Sequence, residues 1–202
     1  MLNGSPKQFG CTYTALSEAA GALNADGVET DIHHIGAGPI QGCTACGQCR
    51  KSGYCAYGDD SVNKCIDSLK GADGFIVGSP VYYAGPTGSI CAFLDRLFYM
   101  KSAPYAYKPA ASVVSCRRAG STAALDRLNK YYYLAHMPIV TSQYWNMVHG
   151  NTPDEVRRDL EGLQIMRTLG HNMAWLLKCI AAGRGSVPFP PQEARVGTNF
   201  IR

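Results

Sequence analysis

Short, unbroken apolar runs in this chain are separated by longer stretches whose apolar residues recur at helical spacing. Gly74-Phe75-Ile76-Val77-Gly78 and Ala110-Ala111-Ser112-Val113-Val114-Ser115 read as buried strands. Such a run has no polar face to give to water, so it belongs in a sheet with helices on both sides. Residues 28–35 alternate like a more peripheral strand, and residues 137–142 form a further short strand candidate. Helices are expected over residues 12–23, 60–70, 88–97, 121–135 and 153–182. The last opens on Thr152-Pro153-Asp154-Glu155, where Thr152 can cap, Pro153 suits the first helical position and two acids favour the positive end of the dipole. Its Leu160, Leu163, Met166, Leu169, Met173 and Leu177 form a stripe suited to core or subunit packing. This alternation is the sequence form of repeated βαβ units, so the expected fold class is α/β, a doubly wound parallel sheet of about five strands with helices on both faces. Only Met1-Leu2 precede the first loop, so either the first strand is very short or the sequence begins inside its gene.

A length of 202 residues suits a single core, and one domain is expected, with a Cys-rich loop over residues 43–60 and an extended arm over 183–202 that contains Pro188, Pro190 and Pro191. No apolar run approaches the length of a membrane span and the start lacks a secretory pattern, so a cytoplasmic protein without membrane contact is expected. The net charge is +4 and its basic residues are scattered, which argues against nucleic acid as a partner. Nine cysteines in a reducing compartment do not form a disulfide framework. Cys11, Cys65, Cys91, Cys116 and Cys179 are dispersed and read mostly as small buried apolar residues. His33, His34, His136, His149 and His171 show no ligand spacing with the cysteines and read as surface or core residues.

Three constellations carry chemistry. Asn3-Gly4-Ser5-Pro6-Lys7-Gln8-Phe9-Gly10-Cys11-Thr12 leads directly into an amphipathic stretch. Gly4 and Gly10 permit a tight path, Ser5 and Thr12 offer hydroxyls, and the backbone N–H groups of a helix start attract an anion. The layout is that of a phosphate cradle, the alternative being a plain turn into a helix. It has neither the Lys-Ser/Thr ending of a nucleoside-triphosphate loop nor the spaced glycines of a dinucleotide fingerprint. The second constellation, Ser79-Pro80-Val81-Tyr82-Tyr83-Ala84-Gly85-Pro86-Thr87-Gly88, follows a buried strand and pairs a stiff backbone with two aromatic rings. Loops at the carboxyl ends of parallel strands line the ligand crevice, and a flat ring would suit this one; the alternative puts both tyrosines in the core. The third is Cys43-x2-Cys46-x2-Cys49-x5-Cys55. Four soft donors with short spacers suit a 4Fe–4S cluster, zinc takes the same donor set, and a loop of partly buried thiols or a redox-active pair are the other readings.

Together the first two loops resemble the NADPH-dependent FMN reductase branch of the flavodoxin-like superfamily, which carries Gly-Ser-Pro-Arg near the start and Gly-Ser-Pro-Val-Tyr later. The likeness runs from residue 2 to about residue 96 and returns in Thr198-Asn199-Phe200-Ile201-Arg202. Lys7 stands where Arg is usual, keeping the charge but losing the fork of donors. The resemblance implies FMN as cofactor, its phosphate on Ser5, Lys7, Cys11 and Thr12 and its isoalloxazine against Pro80, Val81, Tyr82, Tyr83 and Gly85. A third loop, residues 115–121, would contribute Ser115, Arg118 and Gly120, with Arg118 holding a flavin edge or the phosphates of a nicotinamide nucleotide, the alternative being a solvated loop arginine. The cysteine spacing resembles that of the iron-sulfur flavoproteins of the same superfamily, which implies Cys43, Cys46, Cys49 and Cys55 as ligands of a 4Fe–4S cluster.

The expected function is that of an oxidoreductase passing electrons from NAD(P)H or a reduced carrier through FMN to a quinone, a flavin or another acceptor. The alternatives are an iron-sulfur flavoprotein electron carrier and a non-catalytic FMN-binding module. No side chain is nominated as a catalytic acid or nucleophile, because the cofactor performs the chemistry. Expected partners are a small-molecule acceptor or an electron-carrier protein, and the resemblance implies a homodimer or homotetramer.

Overall fold

The computed structural model describes residues 1–58, 61–100, 105–194, 196–198 and 200. Five strands, β1 (Leu2–Asn3), β2 (His33–His34), β3 (Phe75–Pro80), β4 (Ala110–Cys116) and β5 (Met147–His149), form one sheet in the order β2-β1-β3-β4-β5, every neighbouring pair parallel. The helices are α1 (Cys11–Ala25), α2 (Cys49–Ser52), α3 (Ser61–Gly71), α4 (Gly88–Phe98), α5 (Ser121–Leu134), α6 (Pro153–Arg158) and α7 (Leu160–Gly183).

Strand alternation divides the core into two layers. Phe75, Val77, Ala110 and Val114 point to one face, where Ile66 and Leu69 of α3, Phe93 and Leu97 of α4, and Leu128 and Tyr132 of α5 cover them. Ile76, Ala111, Val113 and Val148 point to the other and meet Leu16 and Ala19 of α1 and Met166, Leu169 and Met173 of α7. Each fully buried Leu or Phe in these layers contributes about 1.5–3 kcal/mol. Parallel strands need crossovers, and with helices on both faces the loops at the carboxyl ends of β1, β3 and β4 emerge together.

Four expectations change. Of residues 28–35 only His33 and His34 pair, because β1 offers Leu2 and Asn3 alone as partners. Residues 137–142 supply a single bridge, Ile139 to Ala110; the chain then swings outward, exposing Tyr144 and Trp145, and returns as β5 beside Val114 to Cys116. The helix expected over 153–182 breaks at Asp159, whose carboxylate accepts from Gly162 N at 3.0 Å and starts α7 as a new helix. Cys179 is exposed on α7 rather than buried. The expected helix start at Asp60, and Asn199, Ile201 and Arg202 of the C-terminal motif, lie outside the described residues. Within the arm, Phe189 stacks on Tyr107 with ring centroids 5.0 Å apart. No helix among the described residues is long and apolar enough to cross a membrane.

Candidate flavin and cysteine sites

At the head of α1, the N-cap Gly10 brings no side-chain oxygen to the first turn, which leaves the amide donors of the helix start for a ligand. The loop before it is held by short-range bonds. The Asn3 carboxamide accepts from Ser5 N at 3.1 Å and donates to Gln8 O at 2.9 Å, while Ser5 Oγ accepts from Lys7 N at 3.1 Å. His34 Nε2 meets Ser5 O at 2.8 Å, pinning the same loop from β2. Ser5 is buried, Lys7 is exposed, and Cys11 is half-buried with Sγ 3.8 Å from Gly150 O. Burial, only partly offset by its own backbone hydrogen bond and by Lys7, raises the pKa of Cys11, so it presents a neutral thiol.

Thr12 turns inward. It is 1% exposed, and its hydroxyl lies 2.9 Å from that of Ser115, also buried, so this pair joins the first loop to the third beneath the crevice. Thr87, the N-cap of α4, joins the first loop to the second: its hydroxyl accepts from Ile90 N at 3.2 Å and donates to Gly4 O at 3.0 Å. A Cβ at Gly4 would sit 2.7 Å from Ile90 Cβ, so only glycine fits that crossing.

Beyond β3 the second loop turns sharply. Tyr82 and Gly85 exchange backbone hydrogen bonds of 2.8 and 2.9 Å, and the residues between them, Tyr83 (φ 49°) and Ala84 (φ 58°), both adopt left-handed backbone. That is the geometry of a type I′ turn, built here without glycine at its centre. Tyr82 is half exposed and Tyr83 fully so. Pro80 and Val81 are half-buried, with Val81 N bonded to Ser115 O at 2.9 Å. Gly120 (φ 89°) brings the third loop against this turn; a Cβ there would meet Ala84 Cα at 2.7 Å. Arg118 is exposed on the same loop.

The four clustered cysteines form a separate site beside α3 and α4, which reach it through Asn63 and Arg96. Cys43, Cys46, Cys49 and Cys55 all line one cavity of about 20 Å3, together with Tyr57, Arg96 and Tyr99. Cys43 and Cys46 are exposed, Cys55 is half-buried and Cys49 is buried. Among the described residues no three potential metal ligands stand at closed coordination distances. The donor set nevertheless fits a cationic metal group. Burial first, then the crowding of Cys43, Cys55 and Cys46, raises the Cys49 pKa, and converging thiolates need positive charge between them. Asn63 of α3 steadies the loop, accepting from Cys55 N at 2.8 Å and donating to Cys55 O and Gly58 O, each at 3.0 Å. Arg96 of α4, 1% exposed, donates from Nε to Cys55 Sγ at 3.1 Å.

The structure thus draws together the loops that carry Ser5, Lys7, Cys11, Val81, Tyr82 and Gly120 through the Thr87–Gly4, Thr12–Ser115 and Val81–Ser115 bonds, buries Thr12 and Ser115 between them, and groups the four cysteines on a cavity that none of these residues lines. His34, Asn63, Thr87 and Arg96 were not singled out from sequence. Of these, only Thr87 carries a local signal, a threonine just before a helix. A cavity of about 660 Å3 lined by Met1, Asp31, Gly74 and Leu177 among others lies at the amino ends of the strands, and none of the residues of these loops lines it.

A parallel sheet in the order 2-1-3-4-5, with its loops gathered at the β1/β3 switch point, defines the flavodoxin-like class. The family model for NADPH-dependent FMN reductase matches residues 1–152, and the chain belongs to that family. It is 27% identical over 190 residues to an iron-sulfur flavoprotein of Methanocaldococcus jannaschii, covering 89% of this chain and 96% of that protein. Among solved structures, a WrbA-like flavodoxin of Agrobacterium tumefaciens superposes with a TM-score of 0.61 at 16% identity, over 88% of this chain and 96% of its own. RosB, solved with bound 8-demethyl-8-formylriboflavin-5'-phosphate, superposes with a TM-score of 0.69 at 14% identity, over 100% of this chain and 92% of its own. The family assignment makes the chain an FMN-dependent oxidoreductase.

Proposed function

We propose that this oxidoreductase draws electrons from NAD(P)H or a reduced carrier into FMN held by the three upper loops, and passes them on by way of a 4Fe–4S cluster on Cys43, Cys46, Cys49 and Cys55. The observation that carries the cluster half is the convergence of all four thiols on one cavity. The open head of α1 at the switch point carries the flavin half.

The chain's own residues bind and orient. Amide groups at the head of α1 and the Lys7 ammonium take the phosphate; Ser5, its loop fixed by Asn3 and His34, sets where that phosphate sits. Pro80, Val81 and the turn at Tyr82 form a wall for a flat ring, and Gly120 keeps that wall close to the third loop. Arg118, exposed on the third loop, supplies charge for a nicotinamide nucleotide's phosphates. Bound there, FMN supplies hydride acceptance at N5 and electron release one at a time, and a cluster on the cysteines supplies a one-electron relay. The exposed Cys43 and Cys46 call for cover, which a second copy of the chain or an electron-carrier protein would give.

The test is an ultraviolet–visible spectrum with iron and sulfide analysis on protein purified without oxygen. Flavin bands with about four irons per chain support the whole proposal. Flavin without iron removes the cluster, zinc at about one per chain makes the loop a structural site, and protein that stays colourless with added FMN overturns the flavin half. Bleaching by NADH or NADPH, compared with bleaching by a reduced ferredoxin, then identifies the donor.

A further inference from the structure

α4 reaches both candidate sites. Thr87 at its start bonds the flavin-side loop through Gly4 O, and Arg96, nine residues on, donates to Cys55 Sγ at 3.1 Å. The guanidinium is among the largest fully buried side chains, and among its other contacts it lies 3.4 Å from Gln41 O and 3.5 Å from Tyr57 O, with its carbon 5.1 Å from the Tyr57 ring centroid. It therefore grips the cysteine loop near both ends of the motif. An arginine fork at full burial is costly to desolvate, and Arg96 directs its Nε–H at a sulfur.

Building on the cluster reading above, we propose that Arg96 is a positioning residue for the cluster: it aims the Cys55 sulfur into the shared cavity and, through its N–H···S bond, raises the reduction potential of the bound cluster. Hydrogen bonds and positive charge at ligand sulfur stabilise the more negative, reduced state. The couple concerned is the one-electron reduction of the cluster, in which no bond of the cluster is made or broken; the electron comes from added dithionite, whose S–S bond breaks to two sulfur dioxide radical anions, each oxidised by one electron and hydrated to sulfite.

The experiment uses anaerobically purified protein carrying flavin and iron, as wild type, Arg96→Lys and Arg96→Gln. Iron and flavin per chain are measured, then the cluster potential is titrated by electron paramagnetic resonance. Full flavin with a cluster potential lowered in Arg96→Gln and, by less, in Arg96→Lys is expected, as is flavin-loaded Arg96→Gln that fails to hold iron. Unchanged cluster potentials in iron-loaded variants overturn the proposal. Should Arg96→Gln not fold, wild type labelled with 15N-arginine decides: pulsed resonance of the reduced cluster shows a 15N coupling that Arg96→Lys loses, or its absence refutes the bond. Wild type that carries flavin but no iron refutes the cluster reading itself, a result distinct from unchanged potentials.

Discussion

Asn3 and Ser5 brace the first upper loop, and Thr12, Thr87 and Ser115 tie it to the other two, all five residues buried, whereas residues 36–58 carry only Cys49 on a four-residue helix and hold Cys55 by contacts from Asn63 and Arg96. In the first region every loop springs from a strand or enters a helix, so the sheet itself sets the positions. In the second, a long connection with little regular structure is shaped from outside. Loops of that length inside a compact domain are most often functional. The difference teaches that the fold preorganises a flavin-side frame, while the cysteine site relies on two buried polar side chains and on whatever the thiols bind.

The largest effect separates the two regions outright. Cys46→Ser removes one soft donor from the cavity without touching the upper loops, so iron is expected to fall from about four per chain to near none while flavin content stays at wild-type level. Loss of flavin along with iron breaks the comparison, because it makes the loops one unit.

Gly120→Val tests the opposite side. A left-handed backbone with a branched side chain costs about 1–3 kcal/mol, and the new atoms collide with Ala84. Flavin affinity, read by fluorescence quenching, is expected to drop by about tenfold or more, with iron binding unchanged. Wild-type affinity in this variant shows that the third loop does not shape the crevice.

How legible this was from sequence follows the same division. The glycines, prolines and tyrosines of the first two loops act over a few residues, so their turns could be read where they stand. β3 and β4 were readable because strands buried on both faces leave continuous apolar runs. Short edge strands leave no such trace: the apolar Met137 to Val140 lies against Ala110 yet supplies only a bridge, while Met147 and Val148 form β5. The apolar spacing carries across Asp159 with Val156 and Leu163, which hid a break that depends on a carboxylate cap. His34 on Ser5, Thr12 on Ser115 and Arg96 on Cys55 join residues 29, 103 and 41 positions apart, and no local pattern announces such pairs.

Cysteines outside the motif sharpen the contrast through pH. Burial pushes the Cys65 thiol up to about 11, with the chain's amino terminus only partly opposing it. An unfolded thiol ionises near about 8.5, so below that pH both states are protonated and stability is complete. Between about 8.5 and 11 only the unfolded chain releases the proton, and stability falls as pH rises, by about 3 kcal/mol across the window. Urea unfolding at pH 8 and 10.5 should show Cys65→Ala losing less stability between the two than wild type. Equal losses mean that Cys65 is not the buried core atom that sets it apart from exposed Cys43 and Cys46.

The smallest effect lies in the turn that carries the exposed tyrosine. Tyr83 and Ala84 hold left-handed angles that glycine or asparagine adopt more readily, and this strain is stored within the otherwise well-supported flavin side. Ala84→Gly relieves one of the two residues and should raise unfolding stability by about 1 kcal/mol, leaving the Tyr82–Gly85 pairing intact. If the strained turn is what holds the Tyr82 ring in place, flavin affinity falls as stability rises, because the released backbone samples other shapes. A variant gaining stability with unchanged affinity assigns ring placement to Val81 and Gly120. One that loses stability shows that the Ala84 methyl, packed where Gly120 passes, outweighs the strain.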